Sequence, residues 1–307
     1  MQSVNPKDVI LVPGEWEHRT IHAHGSRFHI AVQGSGPLVV LLHGFPTNWY
    51  LWRNFLGPLA ESGFTVAAMD MRGYGATDHP PRGYDPRTLA ADVTGVIRAM
   101  GFHEAIVIGH GLGGLIAWTA ATLQTQVIRA VGIISSAHPN TLRKAIVSSP
   151  SQAKAMAYVV GLQTPWIAER SLVKNDARAV GDMLNGWMAP AVLPTDVSNY
   201  YRKAFQAGKT SHCSLEYHRW AIRSLPRADG RRFASDMDHA VTMPLIQIHG
   251  ANDAAYLIET AMDSTEFAGE HKEFHVIDDA GHLLPEERAD EVITHLKKWL
   301  ATIPDTI

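Results

Sequence analysis

The residue types able to do chemistry fall in three short segments of this 307-residue chain. Gly250-Ala251-Asn252-Asp253 puts a carboxylate just past an apolar run, and Asp279-Ala280-Gly281-His282 puts an imidazole just past the next. An imidazole held by a carboxylate is a general base: the acid fixes the tautomer and supports the imidazolium that forms. The third segment, AIVIGHGLGGLIAWTAATL, runs from a buried strand through Gly109-His110-Gly111-Leu112-Gly113-Gly114 into a helix. Its glycine spacing matches a dinucleotide fingerprint, which cradles a pyrophosphate at a helix N-terminus. That fingerprint requires a ribose-binding acid about 20 residues on. No Asp or Glu occurs from Ala105 through Ala168, so the cofactor reading fails and no cofactor is expected. The other reading is a sharp strand-to-helix turn that presents residue 111 at its tip, where a nucleophile commonly stands.

The elements that must position these segments are legible as patterns. RTIHAHG and RFHIAVQG alternate around Gly25 and predict an antiparallel hairpin. LVVLLHG, TVAAMD, AIVIGHG, VIRAVGII, LIQIHG and EFHVID are short apolar runs ending in turn signals, as in strands buried on both faces of a parallel sheet. Between them, Leu89, Val93, Val96, Ile97 and Met100 share one helical stripe, as do Val292, Leu296 and Leu300. The alternation predicts an α/β fold with a mostly parallel central sheet flanked by helices. It stops between about Pro139 and Met243, where Ala, Met, Trp, Tyr and Arg predominate and Pro150, Pro165, Pro190 and Pro194 interrupt helical patterns. The expected organisation is a core in two parts, 1–138 and 244–307, with an inserted helical cap at 139–243.

Composition sets the outer limits. Hydrophobic residues are 46% and charged residues 19%, with 27 Lys+Arg against 30 Asp+Glu. Such a balance gives no electrostatic pull toward nucleic acid or an acidic membrane, and disorder is excluded by the apolar fraction. The single cysteine, Cys213, leaves no intrachain disulfide or multi-cysteine metal site, which fits a reducing compartment. A cytoplasmic protein is expected, acting on a small-molecule substrate or ligand, with a homodimer as the only further partner considered. Histidines 22, 24, 29 and 43 alternate on early strands without an acidic partner at ligand spacing, so no metal site is expected.

Taken in order, these segments resemble the α/β-hydrolase superfamily. His43-Gly44-Phe45-Pro46, followed by Trp49-Tyr50 and Trp52-Arg53, is similar to its epoxide hydrolase branch. The resemblance implies a nucleophile at position 111, an oxyanion hole formed by the backbone N–H groups of Phe45 and Leu112, and a His282–Asp253 pair. It also implies two cap tyrosines that donate to the epoxide oxygen. Tyr158 holds the first position; His218 occupies the second, with Tyr217 one residue earlier. A step of one residue turns a helix by about 100°, so Tyr217 cannot stand in for His218. His218 could still donate, with a pH dependence near neutrality. Trp49, Trp166 and Tyr217 are expected to line the substrate pocket.

The chain departs from the family at the tip. Epoxide hydrolases carry Asp there and esterases Ser, whereas this chain has Gly111, and glycine can form no covalent ester. Ser135 and Ser136 lie at a different strand end and are not taken as substitutes. Three functions follow: an enzyme using His282–Asp253 without a protein nucleophile, by direct water attack or proton abstraction; a binding or sensor protein that kept the pocket; or an epoxide hydrolase inactivated by Asp-to-Gly substitution.

Overall fold

The structure is a computed structural model that describes residues 9–188 and 190–304. Its centre is an eight-stranded sheet: β1 (Glu17–Ala23), β2 (Ser26–Gln33), β3 (Leu38–Leu42), β4 (Thr65–Met69), β5 (Ala105–His110), β6 (Ile128–Ile134), β7 (Leu245–Gly250) and β8 (Lys272–Ile277). The spatial order is β1-β2-β4-β3-β5-β6-β7-β8. The β1–β2 hairpin and its pairing with β4 are antiparallel; the remaining pairs are parallel. The hairpin turns at His24 and Gly25, both with positive φ. β3 and β5 lie at the middle of the sheet and are buried along their whole length, as continuous apolar runs must be when both faces are covered.

Crossover helices supply that cover: α1 (Arg53–Ala60), α2 (Pro86–Ala99) and α3 (Leu112–Leu123). The predicted stripe of α2 is real, with Leu89, Val93, Val96 and Ile97 buried. Pro86 sits in its first turn, and the Asp85 carboxylate caps it by accepting the Thr88 amide.

Between β6 and β7 the described residues hold only helices: α4 (Pro139–Ser148), α5 (Pro150–Ala155), α6 (Tyr158–Gly161), α7 (Ile167–Trp187), α8 (Thr195–Phe205), α9 (Thr210–Arg223) and α10 (Ala228–Asp236). One break had no sequence signal from proline or glycine. α7 leaves helical geometry over Lys174–Ala177, with positive φ at Asn175, Asp176 and Ala177. Asn and Asp tolerate that region better than other residues. Arg202 of α8 secures the break by donating to the Asp176 carbonyl and carboxylate. The last of these helices returns to the sheet, since Phe233, Met237, Val241 and Met243 pack in one cluster with Val131, Ile133 and Leu245. After β7 come α11 (Ile258–Asp263), α12 (Leu284–Glu287) and α13 (Ala289–Leu300), which buries Val292, Leu296 and Leu300. Among the described residues no helix is long and apolar enough to cross a membrane.

Two of the four early histidines have carboxylate partners, though distant in sequence. His29 bonds Asp70 at 2.7 Å and His24 bonds Asp92 at 2.7 Å. No group of three or more His, Cys, Asp or Glu positioned for a metal occurs among the described residues.

Candidate functional site

β5 ends at His110 and α3 begins at Leu112, leaving Gly111 alone to make the turn, with φ 53° and ψ −116°. That conformation favours glycine and costs other residues of order 1–3 kcal/mol. The turn packs tightly beneath the tip: a Cβ on Gly113 would meet the Leu42 carbonyl oxygen at 2.4 Å. A Cβ on Gly111 would begin 3.1 Å from His282 Nε2 and 3.8 Å from Gly44 Cα. The tip therefore aims at the imidazole, and across it at the loop after β3.

His282 follows β8 and Asp253 follows β7, adjacent strands of the sheet, so two separate loops meet at one point. His282 Nδ1 donates to Asp253 Oδ2 at 2.9 Å, while Asp253 Oδ1 accepts the amides of Ala255 and Tyr256. Burial opposes the charge on Asp253, but His282, His249 and the Tyr256 amide outweigh it and hold its pKa below the ordinary carboxylate value. His249 is an unforeseen third member: its Nε2 lies 3.5 Å from Asp253 Oδ2 and donates to the Tyr256 carbonyl at 2.7 Å.

The expected oxyanion donors are the backbone N–H groups that flank the tip. Neither the Phe45 nor the Leu112 backbone N–H meets an acceptor among the described residues. Gly44, before Phe45, is fixed by His43, whose Nδ1 donates to the Gly44 carbonyl while Nε2 accepts the Met71 amide. Ser136 stands nearer to the turn than its strand suggested. Its hydroxyl donates to the Gly111 carbonyl at 2.7 Å, a structural bond on the helix side of the tip.

A chain of ring contacts runs from His282, opposite Gly111, round to Phe45. Tyr256 stacks on His282 at 5.5 Å, and Trp187 stands edge-on to it at 5.3 Å. Trp187 then meets Tyr158 at 5.4 Å, Tyr158 meets His218 at 6.0 Å, and His218 meets Phe45 at 4.8 Å, beside Gly44. The helical insertion supplies Tyr158, Trp187 and His218; the sheet loops supply the rest. Two surface grooves of about 590 and 690 Å³ lie elsewhere, one behind Asp253 and one beside β1 and β2, and neither is lined by Gly111 or His282.

Three expectations need correction. Trp166 does not line this space: it is 82% exposed, turned outward by a positive φ just before α7. Tyr217 points the other way from His218, its hydroxyl donating to the Arg72 carbonyl at 2.7 Å and its ring packed on Tyr74 and Tyr84. Trp49 is core, its indole donating to the Ile10 carbonyl and its ring against Trp16, His18 and His29. Tyr256 and Trp187, by contrast, touch His282 and carried no distinguishing sequence signal.

The pH sensitivity expected of His218 is also corrected. Burial pushes its pKa down to about 4, so it is neutral at pH 7, and Nε2 is buried without a partner. Tyr158 is shifted upward by burial and by the Asp253 charge, so it keeps its proton. Burial likewise takes His110 and His138 to about 3. All three histidines titrate lower when folded than when unfolded, so as pH falls the unfolded chain takes up protons first. Stability should therefore fall as pH drops from about 6.5 toward 4, by up to about 1.4 kcal/mol per pH unit for each group. Denaturant unfolding at stepped pH checks this, and a flat profile across that window would refute it.

Comparison with known proteins agrees with this fold. Residues 37–289 match the family model described as alpha/beta hydrolase fold. The AB hydrolase superfamily protein YfhM of Bacillus subtilis (strain 168) is 30% identical over 272 residues, covering 87% of this chain and 92% of that protein. The soluble epoxide hydrolase of Corynebacterium sp. (strain C12) is 30% identical over 298 residues, covering 94% and 99%. Epoxide Hydrolase A from Mycobacterium thermoresistibile superposes with a TM-score of 0.81 at 26% identity, over 95% of this chain and 100% of that one.

Proposed function

The chain belongs to the alpha/beta hydrolase fold family, on its epoxide hydrolase-like branch, and from that premise we propose that it is an enzyme working without a protein nucleophile, with His282 as general base on a small apolar substrate. The observation that carries this reading is the pairing of a bare tip with a complete base: Gly111 faces His282 Nε2, whose Nδ1 is bound to Asp253. The missing side chain would point at Nε2, so a water in van der Waals contact with the Gly111 Cα along that direction would be within hydrogen-bond reach of the base. Rings on both sides suit an apolar substrate.

With an epoxide, the water oxygen bonds to a ring carbon, that carbon's bond to oxygen breaks, and Nε2 takes the water proton. Tyr158 passes its proton to the leaving alkoxide, and neutral His218 supplies a second hydrogen bond. Asp253 stabilises the imidazolium until its proton passes through solvent to the Tyr158 phenolate, which restores both groups. Proton abstraction from carbon would use the same base. The bare tip also suits a protein that only binds its ligand.

A single turnover in H₂¹⁸O with enzyme in excess over a panel of apolar epoxides separates these readings. Direct attack should place ¹⁸O in the diol formed in the first turnover, with no change in protein mass. An unlabelled first diol with an enzyme adduct would mean that another side chain attacks. Saturable binding with no turnover above background across the panel would favour the binding protein.

A further inference from the structure

Four bonds hold the backbone from the Gly281 amide to the Leu283 amide, and two of them end on one side chain. Glu287 Oε2 accepts the Gly281 amide at 2.8 Å and Oε1 accepts the Leu283 amide at 2.9 Å, so a single carboxylate spans the residue before and the residue after the histidine. The His282 amide donates to the Trp187 carbonyl at 2.8 Å, at the C-terminal end of α7 in the helical insertion. The His282 carbonyl accepts from His110 Nε2 at 2.8 Å. Next to Glu287, the carboxylate of Glu286 is 3% exposed and takes a bidentate pair from Arg53 at 2.6 and 2.9 Å. The same carboxylate accepts the hydroxyl of Tyr201, on α8 of the insertion, at 2.5 Å.

We propose that Glu287 is the positioning residue for His282 and that Glu286, through Tyr201, ties that position to the helical insertion. The insertion then grips the histidine loop twice, at Trp187 and at Tyr201. Moving it away from the sheet would release the His282 amide and the Tyr201 hydroxyl from their acceptors together, so the base is correctly aimed only when the insertion is closed. Two amides on one carboxylate are charge-assisted bonds of fixed geometry. A glutamine at 287 keeps the shape but turns an NH₂ group toward one of the amides, which must then move. The inference rests on His282 being the working base, but its main test does not depend on turnover.

The test is ¹⁵N-histidine NMR of the full chain, with the His282 ring signals identified by their loss in His282→Ala. Glu287→Gln should shift or split the His282 signals while those of His43 keep their positions and the thermal midpoint stays within a few degrees. Turnover, where measured, should fall about 10- to 100-fold in kcat with KM within about twofold, the size expected for a base displaced by a fraction of an ångström to one ångström. Glu287→Asp, which keeps two acceptors, should recover part of the loss. Tyr201→Phe should perturb the same His282 signals with Arg53–Glu286 intact. Unchanged His282 signals in folded Glu287→Gln would overturn the positioning role. Unchanged signals in Tyr201→Phe would overturn the link to the insertion.

Discussion

Gly111→Asp is expected to convert the chain into a covalent epoxide hydrolase, releasing diol on the order of 10⁴-fold faster than the parent and showing an alkyl-ester adduct by mass spectrometry. The size follows from the factors of about 10⁴–10⁶ lost when hydrolases are stripped of their nucleophile. The geometry both permits and taxes the change. The added Cβ stands 3.1 Å from His282 Nε2, so the imidazole must retreat by a few tenths of an ångström, and it is the end of a side chain that gives rather than backbone. The left-handed tip adds about 1–3 kcal/mol of strain, visible as a lower melting temperature. A folded variant that forms no ester and gains no rate would mean that the surrounding rings no longer seat an epoxide in line with residue 111.

His282→Ala should lower kcat of the parent about 10³-fold with little change in KM, because the imidazole acts on the proton in flight and contributes little to ground-state binding. The fold should survive. Asp253 keeps both backbone amides on Oδ1, and His249 remains 3.5 Å from Oδ2. Steady-state kinetics on any substrate the parent turns over decide the matter. A variant at the parent rate would exclude His282 as the base and remove the basis for a nucleophile-free mechanism.

The parts of the site that were legible in the sequence are those set by the path of the chain. Apolar runs ending in turn signals located β3 to β8, alternation around Gly25 located the β1–β2 hairpin, and the strand ends placed Gly111, Asp253 and His282 beyond the C-terminal ends of parallel strands. The parts that were not legible depend on which way a side chain faces once helices pack. Trp166 and Tyr217 lie in the segments expected to form the cap, and position along such a segment does not say which way a side chain faces. Tyr256 and Trp187 are ordinary aromatics until the loop after β7 and the end of α7 bring them against His282. The neutrality of His218 comes from burial that no local pattern encodes. Glu286 and Glu287 have no distinguishing local pattern: only the fold brings Arg53 and Tyr201 to the first and the Gly281 and Leu283 amides to the second.

The bond from the His282 amide to the Trp187 carbonyl has a practical consequence for anyone wishing to give this scaffold a new specificity. A lid transplanted from a relative would bring its own carbonyl to the histidine, and with it a slightly different aim. Chimaeras should therefore inherit residues 187 and 282 from the same parent, with the junctions drawn around that pair rather than at the ends of the inserted helices.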